Sequence, residues 1–289
     1  MRTSVVMVTF HSEEVIRGSL GPLVEAGEAR QIVVVDNSAD YNSCRIASEF
    51  GAQVIRTEAN LGFAKAVNIA LREADGDFVL LVNPDVRVPD GLVRDLEAAM
   101  IETGSAVVAP VVMERKEDLV VPAGAFPSAR AMFLHMSGLS RIVSSHLGHY
   151  LPVSRLPEYP TRVDWVTGAC MLVRTDVMRE LNGMNERWFM YAEDIDFCFR
   201  LASAGYETTI VPSVRVEHLG GGSSAGVDGR LGTEWLVNLF DFYVTAMSPS
   251  TLQAYVWKAV VTLGFLLRAA VRPRQGRRFL RYARVAASL

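Results

Sequence analysis

The first third of the chain alternates continuously apolar runs with stretches of helical periodicity. The apolar runs predict four strands, at residues 4–10, 31–38, 52–57 and 77–86. Helical patterns lie between them, at about residues 13–26, 42–50 and 60–74. Strands that are apolar on both faces and separated by helices are typical of a parallel sheet buried on both sides. We therefore expect an α/β fold with a mostly parallel central sheet flanked by helices.

The middle of the chain is less regular. Its patterns predict two further strands and a helix, at residues 105–113, 165–174 and 175–184. The helix is expected to end at Gly183. Residues 207–226 predict a pair of strands that leads into a glycine-rich loop. Residues 114–160 are rich in proline, and their pattern gives no assignment.

Beyond about residue 232 the pattern is helical throughout. Apolar residues recur at helical spacing from Leu252 to Ala270. This run contains Lys258 and Arg268, whereas a membrane-spanning helix has about 20 apolar residues and few charges. We therefore predict a C-terminal helical extension whose long helix lies in the plane of a membrane surface. The alternative is a helix whose apolar stripe only covers the globular body.

The charges of the chain divide between an acidic body and a basic tail. The last acidic residue is Asp241, and the tail beyond it carries +8, against −11 for residues 1–241. Such a tail indicates an anionic partner, either a membrane or a nucleic acid. Its arginines follow an apolar helix and do not lie among base-stacking aromatics, which favours an anionic membrane surface and no nucleic acid.

Cysteine usage and the start of the chain both bear on location. Cys44, Cys170 and Cys198 are scattered and form no CxxC pair, which argues against a disulfide framework and a cysteine zinc site. The opening residues, MRTSVVMVTF, are not followed by a signal-peptide cleavage pattern. We therefore expect a cytoplasmic protein that is peripheral on the inner face of the cell membrane.

Polar residues follow the predicted strands at the point where each strand ends. These exits are Thr9–Phe10–His11, Asp36–Asn37–Ser38 and Asn83–Pro84–Asp85. The carboxyl ends of parallel strands meet at one edge of a sheet, and ligands bind there in α/β folds. Neither GxGxxG nor GxxxxGKS/T occurs, which excludes the dinucleotide fingerprint and the P-loop.

Residues 188–206, WFMYAEDIDFCFRLASAGY, place three carboxylates among aromatic residues. A helix that begins near residue 192 puts Glu193 and Asp194 in its first turn, where the helix dipole favours negative charge. Asp196 and Arg200 are then spaced for an i, i+4 ion pair. These structural roles leave one carboxylate unexplained, and a carboxylate can act as a general base.

Seven stretches of the chain follow one another in an order that resembles a known family. They are VVMVTFHSEEVI, VVVDNS, NLGFAKAVN, LVNPDV, WVTGACMLVR, FMYAEDIDFCFRLASAGY and VRVEHLGGGSS, within residues 4–224. This set resembles the inverting, GT-A-fold glycosyltransferases of family 2. NPDV in place of the usual DxD, FPSAR at residues 126–130 and the arginine-rich tail resemble the rhamnosyltransferases of that family. Those enzymes attach L-rhamnose from dTDP-rhamnose to a polyprenyl-diphosphate-linked N-acetylglucosamine.

The resemblance implies a Rossmann-like GT-A sheet in which the donor, a dTDP- or UDP-sugar, binds at the strand exits. It divides the chain into a nucleotide-sugar half (1–104), an acceptor-binding and catalytic half (105–230) and a basic helical region (231–289). The implied donor contacts are Thr9, Phe10, Asp36, Asn60, Lys65, Asn83 and Asp85. The Asp36 carboxylate can accept from the N3–H of a uracil or thymine, although an Asx turn is its alternative role. NLGFAKAVN alone also fits an ordinary capped helix.

A divalent cation, Mg²⁺ or Mn²⁺, is implied at Asp85 and His218. The departing diphosphate needs a hard cation with oxygen ligands. Asn83 stands where the first aspartate of DxD is usual, so we expect weak cation binding in the absence of donor. A buried structural role is the alternative for His218. The loop Gly220-Gly221-Gly222-Ser223-Ser224 is expected to close over the phosphates.

For catalysis the resemblance assigns the base to Asp194 and gives Glu193 the task of orienting the acceptor or tuning Asp194. The expected acceptor contacts are Trp165, Gly168, Trp188 and Tyr191. Core packing is the alternative for each aromatic residue, and a tight strand exit is the alternative for Gly168.

The leading hypothesis is therefore a metal-dependent inverting glycosyltransferase that acts on a lipid-linked glycan. Three alternatives stay open. The first is a UDP-sugar-dependent galactofuranosyl or glucosyl transferase of polysaccharide synthesis. The second is a nucleotidyltransferase, and the third is a non-catalytic, membrane-associated nucleotide-sugar-binding module. The oligomeric state also stays open, a homo-oligomer included.

Overall fold

The computed structural model describes residues 2–114, 120–143, 147–220 and 231–289. The strands in these ranges are β1 (Thr3–Thr9), β2 (Gln31–Asp36), β3 (Gln53–Arg56), β4 (Phe78–Val82), β5 (Val86–Arg87), β6 (Val107–Glu114), β7 (Val120–Val121), β8 (Ala123–Gly124), β9 (Leu151–Pro152), β10 (Thr161–Val163), β11 (Trp165–Val166), β12 (Cys170–Arg174) and β13 (Thr208–His218). The α-helices are α1 (Ile16–Ala26), α2 (Asn42–Glu49), α3 (Phe63–Glu73), α4 (Leu92–Thr103), α5 (Ala129–Ser137), α6 (Thr175–Glu180), α7 (Glu193–Ser203), α8 (Leu231–Thr245), α9 (Thr251–Val271) and α10 (Gly276–Ser288).

The central sheet is mostly parallel, as the apolar runs predict. Its strands follow the order β10-β13-β6-β12-β4-β1-β2-β3, with β5 paired to β13. Strands β1, β2, β3, β4, β6 and β13 run in one direction, and β5, β10 and β12 run in the other. Two small sheets, β8-β11 and β7-β9, lie beside it.

Alternate residues of the strands face two separate layers of helices. Val5 and Met7 of β1 join the cluster that packs against α1, α2 and α4. Val6 joins the other cluster, which contains residues of α3, α6 and α7 and of the C-terminal helices α8, α9 and α10. Because a strand exposes successive side chains to opposite faces, these apolar runs bury both faces of the sheet.

The elements predicted for the first third are confirmed, with ends that move by up to four residues. The single strand predicted at residues 165–174 is wrong: Trp165–Val166 pairs with β8, and Cys170–Arg174 joins the central sheet. The strand pair predicted at residues 207–226 is also wrong. In its described part, residues 207–220, a single strand, β13, is present and shifts register between Val211 and Arg215. Pro212 lies inside this irregularity and has no N–H to donate to a sheet ladder.

The helix predicted at residues 175–184 ends at Glu180, and Gly183 lies beyond it with a left-handed φ of 71°. The predicted phosphate loop beyond Gly220 lies outside the described residues, which resume at Leu231.

The C-terminal helices pack on the globular body. Helix α9 begins with a capping box formed by Ser250 and Gln253 and packs against α5 and α10. Its buried Trp257 donates an indole hydrogen bond to the carbonyl oxygen of Pro127, at 2.7 Å. Another face of α9 exposes apolar side chains: Leu252, Tyr255, Val256, Leu263, Leu266, Leu267 and Val271. By length and composition alone, this 21-residue helix is apolar enough to cross a membrane.

Candidate active site

A cavity of about 470 Å³ lies at the carboxyl edge of the sheet. Most of the residues predicted from the sequence line it: Thr9, Phe10, Asn60, Asn83, Asp85, Trp165, Gly168, Tyr191, Glu193, Asp194 and His218. Three predicted residues, Asp36, Lys65 and Trp188, are not part of this lining. The parallel strands and the start of α7 thus bring distant stretches of sequence to one place.

Asp36 lies behind the lining, at the end of β2. Its Oδ1 accepts hydrogen bonds from the Thr9 hydroxyl, at 2.9 Å, and from the Ser38 N–H, at 3.1 Å. The second of these bonds is the Asx turn that the sequence offers as an alternative. The other oxygen, Oδ2, is buried and has no hydrogen-bond partner in the described structure. One acceptor of Asp36 is therefore uncommitted, beside the cavity-lining Thr9.

Lys65 and Trp188 are the predicted contacts whose surroundings lie away from the cavity lining. The Lys65 side chain is exposed on α3. Trp188 is 5% exposed, and its indole N–H donates to Asp241 Oδ2 of α8 at 2.8 Å. The core-packing alternative thus describes Trp188. Its neighbour Phe189, which we did not predict, lines the cavity instead.

Asp85 and His218 meet because β5 pairs with the end of β13. His218 is in register with Val86, and its Nε2 lies 3.1 Å from Asp85 Oδ1. The Leu219 N–H also donates to the Asp85 carbonyl oxygen, at 2.9 Å. A carboxylate and an imidazole at the cavity are a suitable donor pair for a divalent cation. Among the described residues no group of three His, Cys, Asp or Glu side chains surrounds a metal position.

Asp194 lies in the first turn of α7, as predicted. Tyr191 and Ala192, just before the helix, have left-handed φ values of 69° and 74°. Such values are costly for residues other than glycine, and they set the direction in which α7 begins. The Asp194 carboxylate accepts from the Gly168 N–H at 3.1 Å and from the Ile195 N–H at 2.8 Å. Those two donors hold the carboxylate at the wall of the cavity.

Asp196 has the structural role that the i, i+4 spacing predicts. Its Oδ2 accepts from Arg200 Nε at 2.7 Å. Arg200 also donates to the carbonyl oxygens of Leu181, at 2.7 Å, and Gly183, at 2.8 Å. Asp196 therefore ties α7 to the turn after α6 and does not line the cavity.

The two remaining carboxyl groups of the cluster, those of Glu193 and Asp194, are buried next to each other, and burial raises the pKa of both. Burial and the neighbouring charge of Asp194 raise the pKa of Glu193 to about 8. Glu193 Oε2 is buried without a hydrogen-bond partner in the described structure. Burial also raises the pKa of Asp194, but the N–H groups of Gly168 and Ile195 act in the opposite direction. Adjacent buried carboxyl groups share protons as a pair, and this arrangement favours the proton on Glu193.

A second wall of the same cavity consists of helical residues that we did not predict. It contains residues of α5, α8, α9 and α10: Met132, His135, Met136, Trp235, Leu239, Phe265, Arg268, Arg278, Phe279 and Tyr282. Burial and the charge of Arg268 lower the pKa of His135 well below its usual value. The wall is thus aromatic and apolar, with two arginines as its charged members.

The sequence matches the description "Glycosyl transferase family 2" over residues 4–144 and "Glycosyl transferase family group 2" over residues 78–266. It is 30% identical to the N-acetylglucosaminyl-diphospho-decaprenol L-rhamnosyltransferase of Mycobacterium tuberculosis, over 74% of this chain and 75% of that protein. The chain belongs to glycosyl transferase family 2. It is also 28% identical to Rhamnosyltransferase WbbL of Escherichia coli, over 74% of this glycosyltransferase and 82% of that protein.

Solved structures confirm the GT-A fold of this glycosyltransferase. The mannosyltransferase PcManGT from Pyrobaculum calidifontis, in complex with GDP-Man and Mn²⁺, superposes with a TM-score of 0.62 at 15% identity. The match covers 99% of this chain and 86% of that one. Residues 1–349 of S. aureus TarS give a TM-score of 0.53 at 18% identity, over 99% of this chain and 88% of that one.

Little in the sequence indicates that residues of the helical wall line the cavity of this glycosyltransferase. FPSAR begins α5, where Ser128 caps the helix by accepting from the Ala131 N–H at 3.2 Å. The arginines of the tail suggest only an anionic partner. Which of them face the cavity depends on how α9 and α10 pack, and helical spacing alone does not determine that packing.

Proposed function

We propose that this glycosyltransferase is a cation-dependent, inverting enzyme that transfers L-rhamnose from dTDP-rhamnose to a hydroxyl of a polyprenyl-diphosphate-linked N-acetylglucosamine. Two relatives are named as rhamnosyltransferases, and one of those names specifies a diphospho-decaprenol-linked N-acetylglucosamine. The observation that carries the chemistry is Asp194, held by two N–H donors at a cavity that the strand exits also line.

Inversion needs a single displacement with one base. The acceptor hydroxyl oxygen forms a bond to the anomeric carbon of the donor sugar. The bond from that carbon to the nucleotide diphosphate breaks, and the diphosphate leaves with the electron pair. Asp194 takes the hydroxyl proton. Glu193, with a pKa of about 8, keeps its own proton at neutral pH, which leaves the negative charge of the pair on Asp194.

The donor would bind along the strand exits. The uncommitted oxygen of Asp36 suits the N3–H of a thymine or uracil base. Asp85 and His218 would hold the divalent cation, Mg²⁺ or Mn²⁺, which would neutralise charge on the departing diphosphate. A metal-bound neighbour structure supports this proposal at the level of the fold alone.

The enzyme would act as a peripheral protein at the inner face of the cell membrane. A lipid-linked acceptor is presented there, and the exposed apolar residues of α9 together with the arginines that follow it suit an anionic lipid surface.

A donor screen tests the proposal directly. Turnover is measured with dTDP-rhamnose, UDP-galactofuranose, UDP-glucose and GDP-mannose, each with Mg²⁺ or Mn²⁺, and a lipid-diphosphate-linked N-acetylglucosamine. We expect dTDP-rhamnose to be preferred and Asp194→Asn to lower kcat by about 10²- to 10⁴-fold, the usual contribution of a general base. The matched variant Asp196→Asn keeps the base and should lose stability instead. Wild-type turnover by a folded Asp194→Asn variant would overturn the proposed base, and preference for a UDP-sugar would assign the alternative donor.

A further inference from the structure

The catalytic cavity continues beyond the donor side into the C-terminal helices. Its described acidic lining residues are Asp85, Glu193 and Asp194, which lie at the sheet edge and at the start of α7. Its arginines, Arg268 and Arg278, come from α9 and α10. The acidic and the basic residues of the cavity therefore come from different parts of the chain. The arginines belong to the C-terminal helical region, which we expected to contact only a membrane.

Close helix packing positions Arg268. A Cβ at Gly264 of α9 would lie 2.7 Å from the Met136 Cβ of α5, so glycine permits the two helices to approach closely. One turn later Arg268 donates to Met136 Sδ at 3.0 Å and to the His135 carbonyl oxygen at 3.2 Å. These contacts fix the guanidinium at the cavity wall.

Arg278 is held from the neighbouring helix. Its Nε donates to the Tyr282 hydroxyl at 2.8 Å, and Tyr282 itself lines the cavity. A guanidinium presents its N–H donors in a planar fork, which suits the paired oxygens of a phosphate or diphosphate. The two arginines that line this cavity therefore carry donor groups suited to such an anion.

The wall around the arginines is aromatic, and α9 also exposes apolar side chains. Phe265 packs against Tyr282 with ring centroids 5.2 Å apart, and Trp235 packs against Tyr282 at 5.6 Å. Next to Phe265 in the sequence, Leu266 and Leu267 are exposed. An apolar chain attached to a bound diphosphate would find apolar surface at this aromatic wall.

We propose that Arg268 and Arg278 bind the diphosphate of the lipid-linked acceptor, with the attached sugar toward Asp194 and the prenyl chain along the aromatic wall toward α9. This inference rests on the proposed function, because it assumes a diphosphate-linked lipid acceptor. The two arginines then recognise the substrate itself and are distinct from the arginines that would meet lipid headgroups.

Binding of farnesyl diphosphate, followed by tryptophan fluorescence, tests the site without turnover. We expect Arg268→Gln and Arg278→Gln each to weaken binding about 10- to 100-fold, the effect of losing a hydrogen bond to a charged group. Farnesol binding should not change, nor should binding of dTDP. Arg72→Gln removes the same charge from the exposed surface of α3 and serves as the control. Because Arg278 is exposed, its variant is expected to fold even if Arg268→Gln does not.

Two results would overturn the inference. The first is unchanged farnesyl diphosphate affinity in a folded Arg278→Gln variant. The second is a loss of dTDP affinity equal to the loss for farnesyl diphosphate, which would assign the arginines to the donor diphosphate.

Turnover separates this inference from the proposed function. Arg278→Gln should raise the KM of the lipid-diphosphate-linked N-acetylglucosamine and leave the KM of octyl N-acetylglucosaminide, which has no phosphate, unchanged. Equal effects on both acceptors would reject the subsite while the glycosyltransferase function stands. If no donor supports turnover but arginine-dependent binding of farnesyl diphosphate persists, the proposed function fails and the diphosphate site stands.

Discussion

At the scale of single residues, neighbouring carboxyl groups acquire different protonation from different surroundings. Asp194 accepts two backbone N–H bonds, which stabilise its charged form. Glu193 also accepts backbone N–H bonds, but burial and the neighbouring charge of Asp194 outweigh them and raise its pKa to about 8. In the sequence, both residues fit the first turn of a helix equally well. Only the folded environment distinguishes Asp194, the proposed base, from Glu193, which keeps its proton.

The Glu193→Gln substitution tests whether Glu193 is protonated in the folded protein. The ordinary pKa of the group is 4.5, so the unfolded chain loses the Glu193 proton at lower pH than the folded protein does. The wild-type free energy of unfolding should therefore fall as the pH rises from about 4.5 to 8. Glutamine stays neutral, and we expect a smaller fall in Tm over that interval. Melting curves of the two proteins between pH 5 and pH 9 measure the difference, and parallel declines would refute a protonated Glu193.

At the scale of elements, the start of α3 and the turn before α7 depend on each other. Gly62 has a φ of 83° and the Phe63 N–H donates to the Phe189 carbonyl oxygen at 3.1 Å. A Cβ at Gly62 would overlap that carbonyl oxygen. The cavity wall at Phe189 is thus held in place by a residue that cannot carry a side chain.

Gly62→Ala should lower the free energy of unfolding by about 3 kcal/mol, the sum of overpacking and of backbone strain at φ 83° and ψ 176°, a region essentially confined to glycine. The control is Gly51→Ala, because Gly51 has a similar φ of 75° but open space around its Cβ position. Backbone strain alone predicts about 1–2 kcal/mol there. Urea unfolding of both variants measures the contrast, and equal losses would show that the contact with Phe189 contributes nothing.

The local elements could be predicted because each carries its own signal, such as the apolar run of β1 or the carboxylates at the start of α7. Contacts between distant segments could not. The pairing of Trp165–Val166 with β8 moves part of an apparently continuous strand out of the central sheet. The burial of Trp188 against Asp241 and the entry of Arg268 into the cavity likewise depend on where α8 and α9 pack. Periodicity identifies a helix face but not its neighbour.

At the scale of the whole molecule, α9 belongs both to the core and to the surface. Trp257, Val261 and Phe265 are at most 3% exposed, whereas Leu263 and Leu267 are 59% and 65% exposed. Removal of residues 251–289 would therefore uncover the core, and lost liposome binding by such a truncation would not report on the membrane surface. Substitutions confined to the exposed face avoid this problem.

The double variant Leu263→Gln with Leu267→Gln should weaken co-sedimentation with anionic liposomes by at least about tenfold. Burying a leucine side chain stabilises by roughly 1.5–3 kcal/mol, and glutamine forfeits most of that gain. Ile101→Gln on α4, where the side chain is 60% exposed, is the matched control and should bind as the wild type does. Wild-type binding by the double variant would show that this face does not enter lipid. Raising the salt concentration should weaken the binding that remains, because the arginines after α9 act through screened charge.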